Sequence, residues 1–329
     1  MEGKKKTQEA ERTSDRPSVT GDVPMTRAES RGKAKARLRV AKAYKMYVGG
    51  AFVRSESGRY FQVESAKGHA DADADVVNVP RGSRKDVRDA VLAAKNALGG
   101  WEKRTPFNRG QILYRLAEVM ESRRAELVES IARAGGALDD AEREVEAAID
   151  RAVYYAGWAD KVSGVVASHN PVSGPHFGFS LPEPMGVVCV LAPERPSLLG
   201  LLSTTLPVIT GGNTCVALAS AEDPRTAIVF SECLATSDLP GGVLNVLTGH
   251  ADELAPVMAK HREVIAIDAW LVDADLRAKV QAEGADNVKR VKVRVPMDPD
   301  SWLDERRGQG LSWIERHLET KTVWHPMGV

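Results

Sequence analysis

Residues 186–202 read GVVCVLAPERPSLLGLL. The run from Gly186 to Ala192 is short and rich in valine, the pattern of a strand buried on both faces. A turn, Pro193-Glu194-Arg195, leads from it into an apolar helix with proline at its start. The same alternation continues downstream. Strands are predicted at 186–192, 214–219, 243–247, 264–268 and 288–295, with helices at about 197–209, 224–235, 251–260 and 274–283 between them. Strands and helices in strict alternation predict an α/β fold with a Rossmann-like, doubly wound parallel sheet. Such sheets place chemistry beyond the carboxyl ends of their strands, so the turn at Glu194 and Arg195 is the first place to look for it. A dinucleotide-binding unit carries G-x-G-x-x-G after its first strand, because backbone must approach the pyrophosphate closely. Here PERPSLLG follows instead, so the fold by itself licenses no cofactor.

Upstream, MYVGGAFVRSESGRYFQV (46–63) alternates apolar and polar positions about a Ser-Gly turn and predicts a β-hairpin. Three helical faces follow. Val87, Val91, Leu92 and Leu98 form the first, beginning at Ser83; Ile112, Leu113, Leu116, Val119 and Met120 the second; Val145, Ile149, Ala152, Tyr155 and Ala156 the third. These faces read as core. Residues 1–45 are poor in large apolar residues and rich in Lys and Arg, which predicts a disordered basic tail, helical near its end.

Composition narrows the function classes. The 329 residues, 43% hydrophobic and 27% charged, can bury a substantial core. Lys and Arg balance Asp and Glu at 45 each, so net charge gives no case for nucleic acid, and the basic tail lacks the aromatic residues of a base-stacking segment. No apolar window is long enough for a membrane helix and no signal region opens the chain, so a cytoplasmic location is expected. Cys189, Cys215 and Cys233 sit in apolar runs without metal-like spacing and read as reduced core thiols. No arrangement of the seven histidines suggests a metal site.

Several segments together carry a resemblance. They are VGGAFVRSESG (48–58), VPRGSRKDVRDAV (79–91), WEKRTPFNRGQILYRLAE (101–118), AGWADKVSG (156–164), EPMGVVCVLAP (183–193), GGNTCVAL (211–218), DLPGGVLNVLTG (238–249) and DNVKRV (286–291). In this order they resemble the NAD(P)-dependent aldehyde dehydrogenase superfamily. The resemblance implies a coenzyme-binding domain at 46–297, with an oligomerisation hairpin inserted at 162–181. A linker, a helix and a carboxy-terminal oligomerisation strand would fill 298–329, ETKTVW (319–324) resembling that strand.

The same resemblance questions the chemistry. Where the family has the Asn that holds the oxyanion, this chain has Arg195, and where it has the glutamate general base, Arg294. Leu218 and Ala221 stand at the ribose-gripping positions, and Leu271 and Val272 at the glycine and serine of the pyrophosphate turn. The segment that carries the family's nucleophilic cysteine has no counterpart between Arg294 and the last strand. The expectation is therefore a catalytically inactive relative that binds neither NAD nor NADP. It would assemble as a homo-oligomer, or as a hetero-oligomer with a full-length aldehyde dehydrogenase. Two alternatives stay open: an active NAD(P)-dependent dehydrogenase with a divergent site, and an interaction module using the basic tail.

Three finer expectations follow from the residues. Glu194 and Arg195 should form a solvent-facing ion pair. The strand at 288–295 should have one wet face, with Lys292 and Arg294 opposite Val291, Val293 and Val295. The strand at 319–326 should present an edge with nothing in its own chain to complete.

Overall fold

A computed structural model describes residues 42–66 and 76–328. Residues 1–41, and with them most of the expected basic tail, lie outside the described residues. The compact unit begins at Ala43, ahead of the expected boundary, and Tyr44 packs against Val63, Val79 and Ile228.

The first hairpin is tighter than the sequence suggested. Strands β1 (Met46–Val48) and β2 (Ala51–Val53) pair across Gly49-Gly50, whose φ values of 63° and 86° suit glycine. The expected turn at Ser57-Gly58 does not join the two halves of 46–63. Instead β3 (Tyr60–Val63) leaves to pair with β4 (Val77–Pro80) in a separate two-stranded sheet. A two-residue Gly-Gly loop closes at lower cost than the longer connection, and that decides the pairing.

Helix α1 (Arg84–Glu102) starts where expected, in a capping box between Ser83 and Asp86. Its face carries Val87, Val91, Ala94 and Trp101 inward, whereas Leu92, one residue round from Val91, points to solvent. Next come α2 (Pro106–Ser122), α3 (Arg124–Arg133) and α4 (Leu138–Trp158). The separate α3 was not expected. No glycine or proline marks the break at Arg123, so the two helices read as one continuous pattern. A helical turn, α5 (Val162–Val166), occupies the start of the expected 162–181 hairpin, which is formed farther on by β5 (Ser168–Asn170) and β6 (His176–Pro184).

The alternating half of the chain forms as read. In order come β7 (Val187–Leu191), α6 (Ser197–Thr210), β8 (Thr214–Leu218), α7 (Pro224–Thr236), β9 (Leu244–Leu247), α8 (Ala251–Lys260), β10 (Val264–Trp270), α9 (Ala274–Ala285) and β11 (Arg290–Arg294). The strand order is β11-β10-β7-β8-β9-β1-β2, with the first five parallel and β1 antiparallel to β9. The two faces bury different cores. Val188, Val190, Cys215 and Ala217 pack with α2, α3, α4, α6 and α7. Val187, Cys189, Leu191, Val216 and Leu218 pack with α1 and α8. Parallel strands covered on both sides explain the unbroken apolar runs.

The carboxy-terminal segment folds back over the first of these cores. Helices α10 (Pro299–Leu303) and α11 (Leu311–Glu315) insert Trp302, Trp313 and Ile314 into it. Strand β12 (Leu318–Pro326) then pairs antiparallel with β6 in an unbroken register from Leu318↔Pro184 to Pro326↔His176, giving the order β12-β6-β5. The expectation that this strand has nothing of its own to complete is thus corrected. Among the described residues, one edge of β12 is paired with β6 and the other is open.

Buried polar groups fasten the segment. Arg151 on α4, 2% exposed, donates to the carbonyls of Gly308 and Trp302 and to the Ser203 hydroxyl. Asn213 accepts from the backbone N–H groups of Met185 and Gly186 and donates to the His317 carbonyl at 2.8 Å. These bonds satisfy main-chain groups that would be costly to bury unpaired.

Candidate functional site

In this sheet β8 and β9 lie on one side of β7 and β10 and β11 on the other. The topological switch point is therefore at β7, where an open α/β sheet offers a crevice beyond its carboxyl edge. A cleft of about 460 Å³ lies beside it, lined by Gly135, Glu144, Arg195, Ser197, Asp223 and Asp300 among others.

The donors around this edge are already occupied by the chain's own carboxylates. Glu144 Oε1 accepts from the backbone N–H groups of Leu198 and Leu199 at the start of α6, at 2.7 and 3.2 Å. Burial raises the Glu144 pKa, and those two hydrogen bonds oppose the rise. At the start of α7, Asp223 accepts from the Ser197 hydroxyl at 2.7 Å and from Thr226 N–H. Its pKa is also raised by burial. At the start of α9, Asp273 accepts from the N–H groups of Asp275 and Leu276. Helix amino termini are the natural seats for phosphate, and each of these three holds a carboxylate that would repel one.

Glu194 and Arg195 do not form the expected ion pair. A single oxygen of Glu194 accepts from the Ser220 hydroxyl and from the N–H groups of Ala221 and Glu222, at 2.8, 2.7 and 3.1 Å. It thereby ties the turn after β7 to the turn after β8. Arg195 instead bonds Glu222 at 2.8 Å and the Ala134 carbonyl at 3.2 Å, at the rim of the cleft. Three converging donors on one acceptor outweigh a solvent-facing contact between sequence neighbours, which sequence alone could not reveal.

The other sequence-singled residues lie apart. Leu218 and Leu271 are buried in the core against α1 and α8. Val272 is 74% exposed, and its carbonyl accepts from Arg277. Ala221 contributes only its N–H, to Glu194. Arg294 lies on the edge strand β11, with Nε 3.1 Å from Asp268 Oδ1 and its guanidinium over the Trp270 ring at 5.1 Å. The expected wet face of this strand is therefore wet only in part: Lys292 is exposed, whereas Arg294 is covered.

Asp268, 2% exposed, was missed by the sequence reading. It also faces Arg316 at 3.5 Å and His317 Nε2 at 3.9 Å, both from the carboxy-terminal segment. Trp270 and Trp313 stack at 5.7 Å, and Arg316 lies over Trp313 at 4.4 Å. An acid inside the apolar strand VIAIDAW was the one available signal, since such a group is retained only with partners.

Burial lowers the His317 pKa to about 4; Asp268 opposes this, and Arg316, Arg294 and Arg290 add to it. The folded protein therefore holds His317 neutral where the unfolded chain already protonates. His317 should cost stability as pH falls through the ordinary histidine range near 6.5, the loss ending near its folded value. Urea unfolding between pH 7 and 4 is expected to show a smaller decline for His317→Gln than for the wild type. Equal declines would mean that other groups carry the acid sensitivity.

The three thiols offer no nucleophile. Burial pushes Cys189 up to about 12 and Cys233 up to about 11, and raises Cys215 well above the usual thiol value. Among the described residues no cluster of His, Cys, Asp or Glu could hold a metal ion, and no helix is long and apolar enough to cross a membrane.

Comparison with known proteins agrees with this architecture. The aldehyde dehydrogenase family model matches residues 52–297. This chain belongs to the aldehyde dehydrogenase family. Hydroxyisobutyraldehyde dehydrogenase of Mycolicibacterium austroafricanum is 34% identical over 245 residues, which cover 74% of this chain and 46% of that protein. The putative aldehyde dehydrogenase DhaS of Bacillus subtilis is 28% identical, over 76% of this chain and half of its own length. A solved NAD-dependent aldehyde dehydrogenase from Sinorhizobium meliloti superimposes with a TM-score of 0.72 at 28% identity, covering 80% of this chain and 52% of the other. The chain thus spans about half the length of the relatives it matches.

Proposed function

We propose that this aldehyde dehydrogenase relative is catalytically inactive and serves as a structural or regulatory subunit of an oligomer, alone or with a full-length dehydrogenase. Arg294 carries the reading. At the place where the resemblance calls for a proton-accepting glutamate stands a guanidinium, which cannot accept a proton at neutral pH and is already bound to Asp268. The nucleotide positions support it. Leu218 and Leu271 are turned into the core, and carboxylates sit at the amino termini of α6, α7 and α9. These residues do not fit NAD or NADP. We place the protein in the cytoplasm, which its three free, buried cysteines support.

The test combines a calorimetric titration with NAD and NADP and a steady-state assay with a panel of aldehydes. No saturable binding at millimolar nucleotide and no turnover are expected. Saturable binding or turnover would overturn the reading in favour of a dehydrogenase with a divergent site.

A further inference from the structure

The inner wall of the cleft beside β7 carries a charge that the chain leaves unmatched. Asp223 is 3% exposed and Glu144 half-buried, and consecutive residues hold the two side by side: the Ser197 hydroxyl donates to Asp223 and the Leu198 N–H to Glu144. Among the described residues neither carboxylate meets a Lys, Arg or His nitrogen within ion-pair distance. The rim arginines are engaged elsewhere, Arg195 with Glu222 and Arg143 with Asp140. Each helix amino terminus, α6 at Glu144 and α7 at Asp223, supplies roughly half a positive charge, which leaves the pair about one charge short of neutral. A buried charge calls for a partner, and here a single cation from outside the chain would complete the set.

We infer that this cleft binds a primary alkylammonium ion, its ammonium group between Glu144 and Asp223 and its chain against Ile131, Ala141, Leu199 and Leu303. The lining selects that chemistry. An ammonium group offers three N–H donors. Glu144 has an oxygen to receive one, since Oε1 takes both backbone bonds and Oε2 none among the described residues. A metal ion is disfavoured because the carboxylates do not converge into a metal-holding group. A quaternary ammonium is disfavoured as well: no aromatic ring lines the cleft, and such a cation has no N–H to donate. The aliphatic wall favours a carbon chain behind the charge, and about 460 Å³ is room for a small organic molecule. Burial raises the pKa of both carboxylates, and the Asp223 charge adds to the rise at Glu144, so a cation here relieves a repulsion as well as gaining a bond.

The inference rests on the proposed function only in leaving the cleft free of nucleotide, and the two fail separately: amine binding is read without NAD, and turnover is read without the amine. Isothermal titration of the full chain at neutral pH with n-butylammonium chloride is expected to show saturable binding of one ion per chain. 1-Butanol, which keeps the chain without the charge, and tetramethylammonium, which keeps the charge without N–H donors, should each bind at least about tenfold more weakly. Glu144→Gln and Asp223→Asn retain the acceptor oxygens that cap α6 and α7, and each should weaken n-butylammonium binding by about tenfold or more. Circular dichroism shows whether each variant is folded, and the ligand series on the wild type decides the matter even if neither is. No saturation with n-butylammonium, equal binding of 1-butanol or tetramethylammonium, or unchanged affinity in both folded variants would each overturn the assignment.

Discussion

Asp268→Ala is expected to destabilise the protein by about 3–5 kcal/mol, the usual cost of removing one partner from a buried ion cluster. The carboxylate is 2% exposed and is the shared counter-charge of Arg294 and Arg316, which are themselves largely covered. Burial already lowers the Arg316 pKa, with Asp268 the largest opposing influence, so loss of the acid leaves two guanidinium groups in a site that resists charge. Urea unfolding measures the effect. Replacing Asp268, Arg294 and Arg316 together by apolar residues should recover part of it, because no unpaired charge would remain. A loss below about 1 kcal/mol for the single variant would show that solvent reaches the cluster and that the pairing is worth no more than a surface bridge.

Trp302→Ala should cost a similar amount, about 3–5 kcal/mol, by emptying a space the remaining chain cannot refill. Trp302 is fully buried, its ring centroid is 4.9 Å from that of Trp270, and its indole N–H donates to the Met297 carbonyl at 3.2 Å. Its own carbonyl accepts from Arg151. The damage should appear first as local opening of the segment from Asp298 to Leu318. Proteolysis within that segment ought to accelerate more than global unfolding does, since locally opened states cost less than complete unfolding. If cleavage elsewhere rises equally, the segment and the sheet unfold as one unit. Because Asp300 and Leu303 of α10 line the cleft beside β7, the same variant should also change the shape of its wall.

These two residues hold the carboxy-terminal segment against the sheet face shared with α4 and α6. The aromatic stack, the Asp268 cluster and the Arg151 bonds all join residues after 298 to residues before 295. The proposed subunit role depends on that attachment, since β12 reaches β6 only after the chain has crossed the core.

Much of this protein was legible in its sequence. The run GVVCVL has no polar side on which to rest, so burial in a parallel sheet follows from the residues alone, as does the start of α1 at Ser83, whereas the caps at Asp223 and Asp273 emerged only with the fold. Periodicity likewise determined the inward faces of α2 and α4. The tertiary structure decided the partners of polar groups. Glu194 bonds the turn after β8 rather than its neighbour Arg195, and Arg294 bonds Asp268 rather than solvent. It also decided which strands met, setting β3 against β4 and β12 against β6. The reason is physical: apolar burial is non-directional and is fixed by local pattern, whereas a hydrogen bond or ion pair between distant segments depends on distances and angles that exist only once the chain has packed.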